Sequence, residues 1–254
     1  DALVEFGYFK KDSWIIRKWE KINREVYTKA RKISTITNGM QERIAKYVNK
    51  DEINVVPIWT DNSFLKPISK SENVFLKTHQ IEDKFIVMYS GNMGKAHPVE
   101  VLIELAIQFQ NKTEVFFLLI GGGDKYREME ALIAKNKLQN IKILPWQDTK
   151  TLPFTLSGAD LALVTVGNEA SDLSIPSKTY NLMSVGTPIL CVAPQNSALA
   201  RLVENEKIGE VFQNSDLQSI VDFIQKSMIN FEFLNYYKRN ALKASLNYTP
   251  CNTT

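Results

Sequence analysis

From residue 84 to residue 229 the chain repeats one pattern: a short apolar run, then a segment with apolar residues three and four apart. The runs are FIVMYS (85–90), EVFFLLI (114–120), IKIL (141–144), DLALVTV (160–166), PILCVA (188–193) and IGEVF (208–212). Between them lie PVEVLIELAIQFQ (98–110), DKYREMEALIAKNK (124–137), TKTLPFTLSG (149–158), SKTYNLMSV (177–185) and SALARLVEN (197–205), with DLQSIVDFIQKSM (216–228) closing the series. Strands that are apolar throughout, separated by helices, predict a parallel sheet covered on both faces. Six such units fit one doubly wound α/β domain. In TKTLPFTLSG, Pro153 is expected to limit the helix.

The first part of the chain reads differently. Residues 9–32 have helical periodicity through Trp14, Ile15, Trp19, Ile22, Val26 and Ala30, with Lys and Arg on the other face. ISTIT (33–37) and INVVP (53–57) read as short strands. NGMQERIAKYV between them reads as a helix with Asn38 as candidate N-cap. Residues 57–83, with Pro57, Pro67 and many polar side chains, read as a linker. The first fifty residues carry twelve Lys/Arg against six Asp/Glu, so a chain of net charge +3 is −3 beyond them. The basic excess belongs to one end and is no argument for nucleic acid. An apolar stripe interleaved with Lys and Arg leaves two readings, a face resting on an anionic membrane surface or one packed into a core that is partly missing.

Two cysteines give no disulfide framework, and two histidines with two cysteines far apart in sequence give no metal-ligand cluster. With only His79 and His97, no Ser-His-Asp or Cys-His arrangement can be argued. DALVEFGYFKKD lacks the apolar core of a secretion signal, and no run approaches a spanning helix. A cytoplasmic protein is the simplest reading.

In an open parallel sheet, ligands bind beyond the carboxyl ends of the strands. Three of those loops carry chemistry. In SGNMGKAHP (90–98), Gly91 and Gly94 would let backbone N–H groups approach a ligand, with Lys95 and His97 adding charge and a donor. In IGGGDKY, the glycines at 121–123 strip a strand end of side chains, as a nucleotide lying on the backbone requires. This is not the six-position dinucleotide pattern, so no nicotinamide cofactor is indicated. In IPSKTYN, Ser177 fits an N-cap and Lys178 follows it. A lysine at a helix N-terminus opposes the macrodipole. A phosphate or pyrophosphate bound there would reverse the sign.

These pieces together resemble a family 4, retaining glycosyltransferase of the GT-B fold, of the bacterial branch that builds capsule, O-antigen or exopolysaccharide. The resemblance rests on TITNGMQERI, NVVPIWTD, YSGNMGKAHPVEVLIELA, FLLIGGGDKYREME, ILPWQD, GADLALVTV, IPSKTYNLMSVGTPIL and ALARLVENEKIGEVF, in family order from Ile33 to Phe212. It implies two Rossmann-like domains with a cleft between them. Residues 84–229 match the domain that binds a nucleotide-diphosphate sugar. Residues 1–56 match the last part of the N-terminal, acceptor-binding domain, whose first units are expected to be missing. Residues 230–254 match the helix that crosses back.

The resemblance also implies roles. Gly91, Asn92, Gly94 and Lys95 match the donor-phosphate loop, and Ser177, Lys178 and Thr179 the pyrophosphate-binding helix start. Gly122 and Gly123 match the wall beside the nucleotide; Trp146 and Gln147 lie in the loop that meets the base. Glu169 and Asp172 lie in the loop facing the donor sugar. Many family members carry two glutamates eight apart where this chain has Leu173 and Asn181, so a carboxylate role falls to Glu169 or Asp172 or is absent. Asn92 replaces a common arginine, leaving more of the anion binding to Lys178. The expected activity is sugar transfer from a nucleotide-diphosphate sugar, such as a UDP-sugar, to a glycan or lipid-linked acceptor, with no metal or cofactor. Location is expected in the cytoplasm, peripheral to the inner face of the plasma membrane. A nucleotide-sugar-binding module without activity, or a GT-B-fold UDP-sugar 2-epimerase, are the alternatives.

Overall fold

The structure is a computed structural model and describes residue 4 and residues 9–94, 97–168 and 171–252. The chain first forms α1 (Trp14–Lys29), β1 (Ile33–Thr35), α2 (Asn38–Ile44) and β2 (Ile53–Val55). β1 and β2 pair in parallel, Ile33 beside Ile53. A two-stranded sheet is marginal alone. Ile33, Ile44 and Ile53 supply a small core, against which Tyr27, Ala45 and Val48 pack. Thr37, not Asn38, caps α2: its hydroxyl accepts from the Met40 N–H at 3.1 Å. Threonine in extended backbone just before the helix already presents that oxygen.

After α3 (Val74–His79) come β3 (Phe85–Asn92), α4 (Val101–Gln108), β4 (Val115–Gly122), α5 (Tyr126–Lys135), β5 (Ile141–Leu144) and α6 (Leu152–Ser157). β6 (Leu161–Thr165), α7 (Lys178–Ser184), β7 (Ile189–Val192), α8 (Ala198–Glu206), β8 (Gly209–Phe212), α9 (Leu217–Ile229) and α10 (Phe231–Ser245) follow. The six strands are all parallel, in the order β5-β4-β3-β6-β7-β8. This is the doubly wound order, and its switch point lies between β3 and β6. Pro153 sits in the first turn of α6, so it opens that helix rather than limiting it.

The strand period of two divides the core. Ile86 and Met88 of β3, Leu118 and Ile120 of β4, Ala162 and Val164 of β6, and Ile189 and Cys191 of β7 pack on one face. Val87, Tyr89, Phe117, Leu119, Leu161, Leu163, Leu190 and Val192 pack on the other. Each large aliphatic or aromatic side chain so buried contributes about 1.5–3 kcal/mol. α10 serves both faces: Leu234 and Tyr237 join one cluster, Ala241 and Ala244 the other.

One further expectation needs correction. Residues 57–83 are not a bare linker, since they contain α3 and bury Leu65, Phe75, Leu76 and Ile81 in the core of the large sheet. Their apolar residues come in adjacent clusters such as Val74, Phe75 and Leu76 and do not recur at a helical or strand spacing, so they give no periodic signal. In α1, only Ile16 is buried, while Trp14, Trp19, Ile22 and Val26 lie exposed. Among the described residues the stripe finds no core, which leaves both readings of it open.

Candidate functional site: a cation-bearing cleft at the switch point

The ends of β3 and β4 run side by side, Gly91 opposite Gly121 and Asn92 opposite Gly122. The Met93 N–H then donates to the Gly122 carbonyl (2.6 Å), and the Tyr89 hydroxyl to the Asn92 carbonyl (2.6 Å). The turn is fixed from both sides. Gly91 has φ +146°, and a Cβ there would stand 2.6 Å from the Lys178 Nζ. The missing side chain is the space the ammonium occupies.

Lys178 is the first residue of α7. Its Nζ lies 3.6 Å from the centre of the Tyr89 ring, a cation–π contact. It is buried and has no hydrogen-bond partner among the described residues. Desolvation lowers its pKa to about 7. An ammonium that could donate three hydrogen bonds, and here makes none, is ready for an anion.

A cleft of about 640 Å³ opens at this point. Its walls come from β3 and the turn after it (Gly91, Asn92, His97), the loop after β5 (Trp146), the start of α7 (Ser177, Lys178, Asn181) and, from the first part of the chain, Ile36 and Ile58. His97 Nδ1 lies 2.9 Å from the Thr165 carbonyl oxygen, so in the neutral ring Nδ1–H donates and Nε2 is left as an acceptor. Burial pushes the His97 pKa down. Asn181 Oδ1 accepts from the Thr60 hydroxyl at 2.7 Å. The two parts of the chain also meet outside the cleft lining: the Thr37 hydroxyl donates to the Asp172 and Leu173 carbonyls at 3.3 and 3.2 Å.

Of the residues expected at the site, Gly91, Asn92, Trp146, Ser177 and Lys178 line this cleft. Gly94, Gly122, Gly123, Gln147, Thr179 and Asp172 do not. Gly122 backs onto the Trp146 indole and Gly123 onto Asn92 and Met93, so both shape the wall from behind. Gln147 folds onto its own loop, donating to the Pro145 carbonyl at 2.8 Å. Thr179 is fully buried. Asp172 pairs with Arg201 at 3.1 Å. Ser177 precedes α7, but its side chain makes no capping bond, because its backbone is already helical. Lys95 and Glu169 lie outside the described residues. Reading the sequence missed Tyr89, Ile36 and Ile58. A hydroxyl-bearing side chain within the apolar stretch FIVMY of β3 was the one signal for the first; the others join the site only through folding.

A doubly wound sheet with glycine-ended strands and a buried lysine at its switch point defines a Rossmann-like α/β architecture. The sequence model described as "Glycosyl transferases group 1" matches residues 71–244, and the chain belongs to that family. Among curated relatives, it is 26% identical over 202 residues to the putative colanic acid biosynthesis glycosyl transferase WcaI of Escherichia coli (strain K12), covering 78% of this chain and 49% of that one. It is 24% identical over 210 residues to the probable glycosyltransferase WbjE of Pseudomonas aeruginosa, covering 82% and 52%. The fold matches that of Anabaena Alr3699/HepE, solved in complex with UDP-glucose, with TM-score 0.72 and 16% identity, over 86% of this chain and 60% of that one. The chain thus spans about half the length of the curated relatives it matches. These matches establish the GT-B fold for it.

Proposed function

We propose that this chain supplies the donor-binding half of a glycosyltransferase that moves a sugar from a nucleotide-diphosphate sugar to a glycan or lipid-linked acceptor in surface-polysaccharide synthesis. The observation that carries this reading is the buried, unpartnered Lys178 ammonium beside Gly91 in the switch-point cleft. In transfer, the bond between the anomeric carbon and the leaving phosphate oxygen breaks, and its electron pair goes to that oxygen. The acceptor hydroxyl oxygen bonds to the carbon and its proton leaves with the diphosphate. Negative charge grows on the diphosphate, where Lys178 and the backbone N–H groups after β3 would stabilise it in place of a metal or cofactor. Preorganised donors of this kind are each worth about 3–4 kcal/mol in a transition state. Trp146, exposed at the cleft wall, offers a ring face to the base. Asp172 is turned to Arg201 and takes no step here; a carboxylate facing the sugar would have to be Glu169.

Titration calorimetry with UDP and GDP tests the reading. The chain should bind one of them, and Lys178→Ala should weaken binding by about 10- to 100-fold, the loss of a hydrogen bond to a charged group. Equal affinity for chain and variant would end the proposal. Residence at the inner face of the plasma membrane belongs to the same reading. It is supported by α1, which exposes Trp14 and Trp19 alongside Arg17, Lys18, Lys21 and Arg24.

A further inference from the structure

A second and larger cavity lies beside the first, over the ends of β6, β7 and β8. It is about 780 Å³, within the range of ligand sites, and Val166 lines both cavities. Its chemistry is of another kind. Five carboxamides, Asn168, Gln195, Asn196, Gln213 and Asn214, contribute to its wall, and no aromatic side chain does. Its charged side chains, Glu100 and Lys125, lie 2.6 Å apart and neutralise one another. The Lys125 ammonium also donates to the His97 carbonyl at 2.8 Å, which ties this wall to the donor cleft.

Gln195 donates to Glu204, but the other four carboxamides have no protein hydrogen-bond partner among the described residues. Their loops are nevertheless held. Ser197 caps α8 through the Ala200 N–H (3.0 Å), and Arg201 takes the Asn196 carbonyl. The Asp216 N–H closes the next loop on the Gln213 carbonyl (3.0 Å), and the Asp216 side chain caps α9. The trough is therefore an uncharged array of paired donors and acceptors on anchored backbone. A carboxamide offers two N–H donors and a carbonyl acceptor. That matches hydroxyls, each both donor and acceptor, and suits neither a phosphate, which needs cations, nor an apolar chain.

We infer that this trough is a saccharide-binding subsite that holds the neutral part of the acceptor glycan beside the donor cleft. The inference rests on the glycosyltransferase reading for the word acceptor, but saccharide binding itself does not depend on it.

The test is a side-chain amide NMR titration of the isotopically labelled chain with lactose, maltotriose and N,N′-diacetylchitobiose, and separately with UDP. At least one saccharide should move the NH2 signals of Asn196, Gln213 and Asn214, while UDP moves the Trp146 indole signal instead. The double variant Gln213→Leu, Asn214→Leu should lose saccharide affinity at least tenfold and keep its affinity for UDP. Failure of every saccharide to move those amides, or unchanged saccharide affinity in the double variant, overturns the inference. Failure of UDP and GDP to bind overturns the donor reading alone. The two positions are exposed, and the dispersion of the backbone amide spectrum verifies that the variant is folded.

Discussion

At the scale of residues, Lys178 sets a conflict between stability and binding. In the unfolded chain a lysine keeps its proton to above pH 10; in the fold this one gives it up near 7 because its head is desolvated. Between those values the unfolded chain holds more protons, so stability rises with pH there, and below about 7 the full cost of the buried charge is present. Lys178→Met keeps the length of the side chain and removes the charge. It is expected to raise the Tm at pH 6 by about 3 °C, with the gain shrinking toward pH 9, while nucleotide affinity falls. Scanning calorimetry at the two pH values checks this, and a Tm below that of the parent at both would refute it. The diphosphate itself favours the charged form, so binding above pH 7 should draw a proton from the buffer. Burial acts in the opposite direction on Tyr237 and Tyr248, whose hydroxyls it pushes up, and each has a carboxylate partner, Glu210 and Glu206. Among these groups, burial without a partner is peculiar to Lys178.

At the scale of elements, the site depends on how α2 docks. A Cβ on Gly39 would stand 2.1 Å from the Asp172 carbonyl oxygen, so the start of α2 lies directly on the loop before α7. Alanine favours a helix over glycine by about 1 kcal/mol. Any loss in Gly39→Ala would therefore report the docking and not the helix. The variant should open residues 14–56 to limited proteolysis while the six-stranded sheet stays resistant; an unchanged digestion pattern would show that the contact is dispensable. Most elements were legible in the sequence because their signals are local. Apolar runs of strand length alternate with helical periodicity, and β5 falls on IKIL as expected. α3 was hidden because only Phe75 and Leu76 of its six residues are buried. Lys178 was legible as a cation at the wrong end of a helix. Tyr89 beneath it, the carboxamide trough, and the turning of Asp172 toward Arg201 were not, since each depends on residues far apart in sequence.

At the scale of the whole molecule, the described surface is uneven. α1 carries Trp14 at 73% exposure and Trp19 at 52%, amid basic side chains. No helix among the described residues is long and apolar enough to cross a membrane. If the α1 face rests on an anionic bilayer, the chain should sediment with phosphatidylglycerol vesicles at low salt but not with phosphatidylcholine vesicles. Trp14→Ala together with Trp19→Ala should release it. Recovery of the parent chain in the supernatant with both vesicle types would remove membrane contact from the proposal. The strand order has a further consequence. Because the sheet is laid down outward from β3 toward β5, and then outward again from β6 toward β8, a ribosome finishes one wing before it begins the other. Gly91 and Trp146 emerge early and Lys178 only afterwards. A nascent chain arrested between them would be a half-built sheet with one wall of the cleft and no counter-ion, unable to hold the proposed nucleotide until the second wing is made.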